Sequence, residues 1–89
     1  MISRTTTRFR KAYKQLPRTV RKQSRAAYKL FRKNQQHPSL RFKRIHPSRP
    51  IYSVRISRNY RAIGALEDGT IIWFWIGSHA DYDKLISQL

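Results

Sequence analysis

The hydrophobic period of this chain changes from helical spacing to strict alternation just beyond Ser39, and turns helical again only after Ile76-Gly77-Ser78. A chain patterned in this way belongs to the α+β class. From Thr7 to Leu16 the apolar residues Phe9, Ala12, Tyr13 and Leu16 recur at helical intervals, with Arg8, Arg10, Lys11 and Lys14 between them. Pro17 interrupts that pattern and reads as the joint to a second helix, because proline is tolerated near a helix start but not in its middle. Val20, Ala27, Leu30 and Phe31 form the second helix's buried stripe, and the segment Asn34 to Pro38 ends it.

The alternating half then predicts four strands. Leu40 and Phe42 set against Arg41 and Lys43 suggest a short first one, followed by a loop at His46 to Pro50. Ile51 to Ser57 places Tyr52, Val54 and Ile56 on one face and Ser53, Arg55 and Ser57 on the other. Tyr60 to Leu66 forms the next strand, Asp68-Gly69 carries a hairpin signal, and Thr70 to Ile76 is apolar enough to be covered on both faces. A two-residue Asp68-Gly69 loop sets Trp73 opposite Gly64 and Trp75 opposite Ala62, large against small. A final helix runs from Ala80 to Leu89 with Tyr82, Leu85, Ile86 and Leu89 at its apolar positions. No internal repeat or linker divides residues 1–89, which read as a single domain.

Charge is segregated along the same chain. Glu67, Asp68, Asp81 and Asp83 are the only carboxylate side chains, and of the 20 Lys and Arg residues only Lys84 follows Arg61. The formal net charge is +16, and a basic stretch that cannot neutralise itself implies solvent counter-ions, a nucleic acid or an acidic protein as its complement. Apolar content of 39% with Trp, Tyr and Phe at 12% argues against a disordered basic tail. There is no cysteine, so the core must hold without disulfides, and a cytoplasmic setting fits. The longest apolar run, Ile71 to Gly77, is far short of the roughly 20 residues of a membrane-spanning helix. The first 33 residues have the Arg-rich, acid-free composition of a mitochondrial transit peptide, yet they carry most of the helical pattern and read as part of the fold.

Few residues offer chemistry. His37 and His46 each precede a proline in loops and read as solvated, whereas His79 stands where a strand hands over to a helix. No pair of histidines or carboxylates has metal-ligand spacing, so neither a metal nor a cofactor is expected, and no thiol nucleophile or phosphate-cradling glycine loop is present. Asp81 and Asp83 read as negative charge favourably placed at a helix N-terminus. Arg55 and Arg61 lie within strands that otherwise build the sheet. A three-residue turn at Ser57-Arg58-Asn59 puts them directly opposite each other, and a two-residue turn at Arg58-Asn59 sets Arg61 across from Ile56 instead. Two facing arginines repel unless an anion lies between them, and a phosphate matches guanidinium bidentately. The alternative is that both point to water from an uncovered face.

The segment Tyr52-Ser-Val-Arg-Ile-Ser-Arg-Asn-Tyr60-Arg61-Ala-Ile63, followed by Trp73-Phe-Trp-Ile-Gly-Ser-His79-Ala-Asp-Tyr82-Asp83, resembles the RelE/ParE superfamily of bacterial toxins. The resemblance covers nearly the whole chain. It implies a helical hairpin packed on a twisted antiparallel sheet of about four strands with a short C-terminal helix. In the superfamily a short strand usually precedes the first helix, and here only Met1 to Thr6, with Ile2 as its sole apolar residue, offers it. The implied activity is that of a metal-free endoribonuclease cutting mRNA on the ribosome, neutralised by a cognate acidic antitoxin. By position, Arg55 and Arg61 match the cationic residues of the ribonuclease branch, and His79 matches a site where members carry Arg or His, suited to a general base or acid. Tyr82 is implied either as a base-stacking or proton-transfer group or as core. Lys43, Arg44 and Arg58 are further candidates for RNA contacts, while Ser53 stands where some members have a second strand lysine. Two other functions fit the charge: inhibition of DNA gyrase, the superfamily's other branch, and non-catalytic RNA or ribosome binding.

Overall fold

The computed structural model describes residues 1–88, so Leu89, expected in the last helix, lies outside the described residues. Two helices open the main body: α1 (Thr7–Lys14) and α2 (Arg18–Lys33). Thr6 caps α1 by accepting from the Phe9 amide at 3.1 Å, and Pro17 occupies the cap position of α2. Five strands follow the order β1-β5-β4-β3-β2 in one mixed sheet: β1 (Ile2–Thr5), β2 (Lys43–Arg44), β3 (Ile51–Ser57), β4 (Tyr60–Glu67) and β5 (Thr70–Ser78). A final helix, α3, spans His79–Ile86, capped by Ser78, whose hydroxyl accepts from the Asp81 amide at 3.2 Å.

The segment before α1 therefore forms a strand despite its single apolar residue, and it runs parallel to β5 with Ile2 paired to Thr70 and Thr5 to Trp73. An edge strand needs backbone partners more than apolar side chains. Ile2 and Thr6 donate to the Gly69 and Trp73 carbonyls at 3.2 and 3.0 Å, and the Trp73 indole donates to Ser3 Oγ at 3.4 Å. The sheet is thus five-stranded and mixed, where the alternating segments alone predicted about four antiparallel strands.

The strand expected at Leu40 to Lys43 shrinks to Lys43–Arg44. Pro38–Leu40 winds into a 3₁₀ turn, Arg41 takes a left-handed conformation with φ 46°, and Leu40 is carried into the core at 1% exposure. At the Glu67–Thr70 hairpin both loop residues have positive φ, Asp68 at 49° and Gly69 at 78°, as a tight two-residue turn between twisted strands requires.

Both helices lie on one face of the sheet, α1 against β5 and α2 against β3. Beneath them Phe31, Leu40, Val54, Ala62, Ile71, Trp73 and Ile76 form the core. Phe31 meets Trp73 edge-on with centroids 5.5 Å apart and Phe42 at 5.1 Å, while Phe42 stacks on Tyr52 at 4.9 Å. Burying each such ring contributes roughly 1.5–3 kcal/mol, which a disulfide-free chain of this size depends on. All the cationic residues of α2 but the half-buried Arg21 are exposed and need no partners in the core.

The β4–β5 register holds one surprise. Trp73 faces Gly64 as predicted, but an irregularity at Phe74 pairs Trp75 with Ile63 and Ala62 with Ile76. The extra residue reverses the alternation beyond it. Trp73 and Ile76 therefore point into the helical core, and Trp75 turns to the other face, where it packs over Gly77 and approaches Tyr82 with centroids 6.3 Å apart. A Cβ at Gly64 would stand 2.8 Å from Trp73 Cε3 and 3.0 Å from Ile71. Gly64→Ala is accordingly expected to cost about 1–3 kcal/mol by overpacking, read as a lower Tm in thermal unfolding.

Candidate active site

The face of the sheet away from α1 and α2 carries Ser53, Arg55, Arg61, Ile63 and Trp75, and α3 covers only part of it. Tyr82 is the anchor of that cover. It is 5% exposed, and its hydroxyl donates to the buried Ser53 Oγ at 3.2 Å. A phenol held in this way packs as a core residue does, with its hydroxyl engaged beneath the sheet face.

Arg55 and Arg61 are direct cross-strand partners. The turn at Arg58-Asn59 has two residues, with Ser57 paired to Tyr60, and the facing arginines arise because a bulge at Ile56 takes up one extra residue. Neither turn length alone predicts this combination. Arg61 is partly buried, and its Nη1 is enclosed without a hydrogen-bond partner among the described residues. Its guanidinium is held below the ordinary arginine range by burial first and by the Arg55 charge second; Arg41 adds to the depression, while Tyr82 and Asp83 act against it. An enclosed cationic donor facing a second cation is a site that an anion satisfies on both counts.

His79 is fixed beside this pair by the strands themselves. Arg61 pairs with Gly77 and Tyr60 with Ser78, so His79 begins α3 just beyond the register, and its amide donates to the Asn59 carbonyl at 2.7 Å. The imidazole packs edge-on against Tyr82 with centroids 5.9 Å apart, and Nδ1 lies 3.1 Å from Asp83 Oδ2. The side chain remains 44% exposed, so solvent reaches the ring. Asp83 is thus paired with the histidine, where the sequence suggested only a helix-end charge. The i, i+4 spacing of His79 and Asp83 was the available signal.

The three further basic candidates divide. Lys43 pairs with Ser53 and so flanks the Arg55 face, exposed, and Arg58 is exposed at the tip of the turn that holds the His79 amide. Arg44 pairs with Tyr52 and belongs to the other face, where its Nε donates to the His46 and Arg49 carbonyls at 3.1 Å each. It clamps a loop and is not brought to this site. Arg41, which sequence spacing gave no reason to single out, is close enough to Arg61 for its charge to be felt there. His37 and His46 do structural work of their own: each Nδ1 accepts from the amide of the serine two residues on, at 3.2 and 3.1 Å. Among the described residues no three His, Cys, Asp or Glu side chains cluster as metal ligands, and no helix is long and apolar enough to cross a membrane.

On the helical face, α1, α2 and β1 leave an open groove of about 570 Å³ floored by Phe31, Val54 and Trp73 and rimmed by Arg4, Arg10 and Arg25. Tyr13 ties its two helical walls together, donating to the Arg21 carbonyl at 3.3 Å and accepting from Arg25 Nη1 at 2.9 Å.

A family model described as a ParE-like toxin domain matches residues 18–84. In three dimensions the chain is similar to the RelB–RelE antitoxin–toxin complex of Methanococcus jannaschii, with a TM-score of 0.74 at 19% identity over 92% of this chain and 96% of that one. The archaeal RelE–RelB complex of Pyrococcus horikoshii OT3 gives 0.69 at 13% identity, covering 86% and 92%. YafQ of E. coli strain BL21(DE3) gives 0.66 at 14% identity, covering 90% and 94%. No curated protein matches the sequence at a significant level.

Proposed function

The chain belongs to the ParE-like toxin domain family, within the RelE/ParE superfamily of type II toxins, and from that premise we propose that it is an endoribonuclease that cuts mRNA on the ribosome. The observation that carries this reading is the cross-strand Arg55–Arg61 pair, with an enclosed and unpartnered Arg61 Nη1, beside a histidine whose Nε2 has no partner among the described residues. In the proposed reaction a 2′-OH attacks the adjacent phosphodiester while His79 exchanges the proton and the 5′ oxygen departs. Arg55 and Arg61 hold the phosphate, and their charges meet the negative charge that develops on it. Tyr82, Trp75 and Ser53 form the support that keeps the reacting groups in place. Lys43 and Arg58 extend the cationic surface along the RNA, and the basic side of α2 supplies affinity without chemistry. These groups need no metal for the reaction.

The toxin's neutralising partner is proposed to be an acidic antitoxin with an amphipathic segment. The groove between α1 and α2 supports this, because an apolar floor under a cationic rim fits such a segment in both shape and charge. The match to a ParE-like model favours gyrase inhibition as the second reading, and that branch needs no proton-transfer residue. Induced expression followed by pulse-labelling and RNA mapping separates the two. The ribonuclease reading expects a rapid fall in translation with cut mRNA, relieved by co-expression of an acidic protein encoded beside it. Intact mRNA with relaxed plasmid DNA would overturn it, and persistence of the effect in a variant lacking Arg55, Arg61 and His79 would point to simple binding.

A further inference from the structure

Among the described residues, in a chain with a net charge of +16, the one contact at salt-bridge distance between a carboxylate and a basic side chain involves neither lysine nor arginine: it joins His79 Nδ1 to Asp83 Oδ2 at 3.1 Å. The choice of partner is informative. Asp83 stands in a strongly cationic field, yet the geometry of α3 delivers its carboxylate to the ring four residues earlier. Its neighbour Asp81 is exposed in the first turn of the same helix and meets no ring.

We propose that Asp83 is the positioning residue for His79, accepting a hydrogen bond from Nδ1–H so that Nε2 keeps the free lone pair and serves as the general base. This rests on the ribonuclease reading given above. A neutral imidazole carries its proton on one nitrogen only, and the hydrogen bond made by one nitrogen decides what the other can do. A solvated histidine favours the proton on Nε2, which would leave the outward nitrogen unable to accept. A carboxylate on Nδ1 reverses that preference. Two further contacts hold the residue: the His79 amide on the Asn59 carbonyl at 2.7 Å anchors its backbone, and the Tyr82 ring lies edge-on to the imidazole at 5.9 Å.

The proton accounting is complete. The 2′-OH gives its proton to Nε2 as the 2′-oxygen–phosphorus bond forms and the phosphorus–5′-oxygen bond breaks. The departing 5′ oxygen takes a proton from water, the imidazolium gives its proton to the hydroxide so formed, and a 2′,3′-cyclic phosphate, a 5′-OH and neutral His79 remain. The Asp83 carboxylate faces the imidazolium that forms. Because both side chains are solvated, at 44% and 62% exposure, the effect on rate is moderate.

The test uses the full chain with ¹⁵N-labelled histidine and long-range ¹H–¹⁵N spectra recorded at a pH where the ring is neutral. The wild type is expected to hold His79 mainly with Nδ1 protonated, and Asp83→Ala to move the majority to Nε2–H. In RNA cleavage, Asp83→Ala should lower kcat by about tenfold, a fraction of what a general base supplies, with KM unchanged, and Asp83→Glu should recover most of it. A wild-type ring protonated mainly on Nε2, or a tautomer that Asp83→Ala leaves in place, would overturn the proposal. The spectra read the positioning role without reference to activity, so a tautomer that shifts as expected in a protein that cuts no RNA would sink the ribonuclease reading and leave the contact's effect on the ring standing.

Discussion

Arg61→Ala is expected to reduce RNA cleavage by about 10²–10³-fold while leaving the protein as stable as the wild type or more so. The two halves of that expectation come from the same geometry. Arg61 Nη1 is enclosed without a partner, and the guanidinium stands across the strand from Arg55, so the free protein bears both a desolvation cost and a like-charge repulsion. Removing the side chain relieves both. In the proposed reaction a phosphate passing to its transition state gains charge that two fixed guanidinium groups would meet without reorganising, and that stabilisation would be lost with Arg61. Kinetics and thermal unfolding measured together distinguish this from an ordinary structural arginine, whose loss lowers Tm and activity in parallel. Arg61→Lys should fall between, because an ammonium retains the charge but not the bidentate fork. Affinity for RNA should change little, since nineteen other lysines and arginines remain.

The second large effect is that of His79→Ala, which should lower cleavage by about 10²–10⁴-fold, the range for a positioned proton-transfer group, with ribosome binding retained. His79 is one half-exposed residue among a surface of arginines and lysines, so its share of the binding charge is small. Equal losses of binding and cleavage would make it a contact residue only. The backbone at His79 should survive the change, because the Asn59 carbonyl and the Ser78 cap engage main-chain amides and not the ring.

Much of this arrangement was legible in the amino-acid sequence, and the parts that were not share a cause. Alternation of Tyr52, Val54 and Ile56 with Ser53, Arg55 and Ser57 places the arginine on the face away from the helices, as the structure has it. Asp68-Gly69 predicts its own two-residue turn. What periodicity cannot carry is a bulge. One extra residue at Ile56 makes Arg55 face Arg61, and another at Phe74 sends Trp75 to the site's side of the sheet while Trp73 stays under α2. Each reverses side-chain direction without a Gly or Pro to announce it. The strand Ile2–Thr5 was obscure for a different reason, since it is held by backbone pairing to β5 and offers little hydrophobic pattern. Arg41 reaches the neighbourhood of Arg61 through a left-handed residue after a 3₁₀ turn, a conformation that no spacing rule predicts for arginine. Asp83 was visible as a position but not as a partner. Its contact with the ring follows only once α3 is seen to start at His79, one turn earlier on the same helical face.

The claim that the Arg55, Arg61 and His79 face performs the chemistry is tested most directly by the ends of the RNA it leaves. Purified protein would be incubated with ribosomes programmed with a defined mRNA, in parallel with a gyrase supercoiling assay. The account predicts cut mRNA bearing a 2′,3′-cyclic phosphate upstream and a 5′-OH downstream, with cutting lost in Arg61→Ala and His79→Ala and with gyrase unaffected. Intact mRNA together with blocked supercoiling would contradict it.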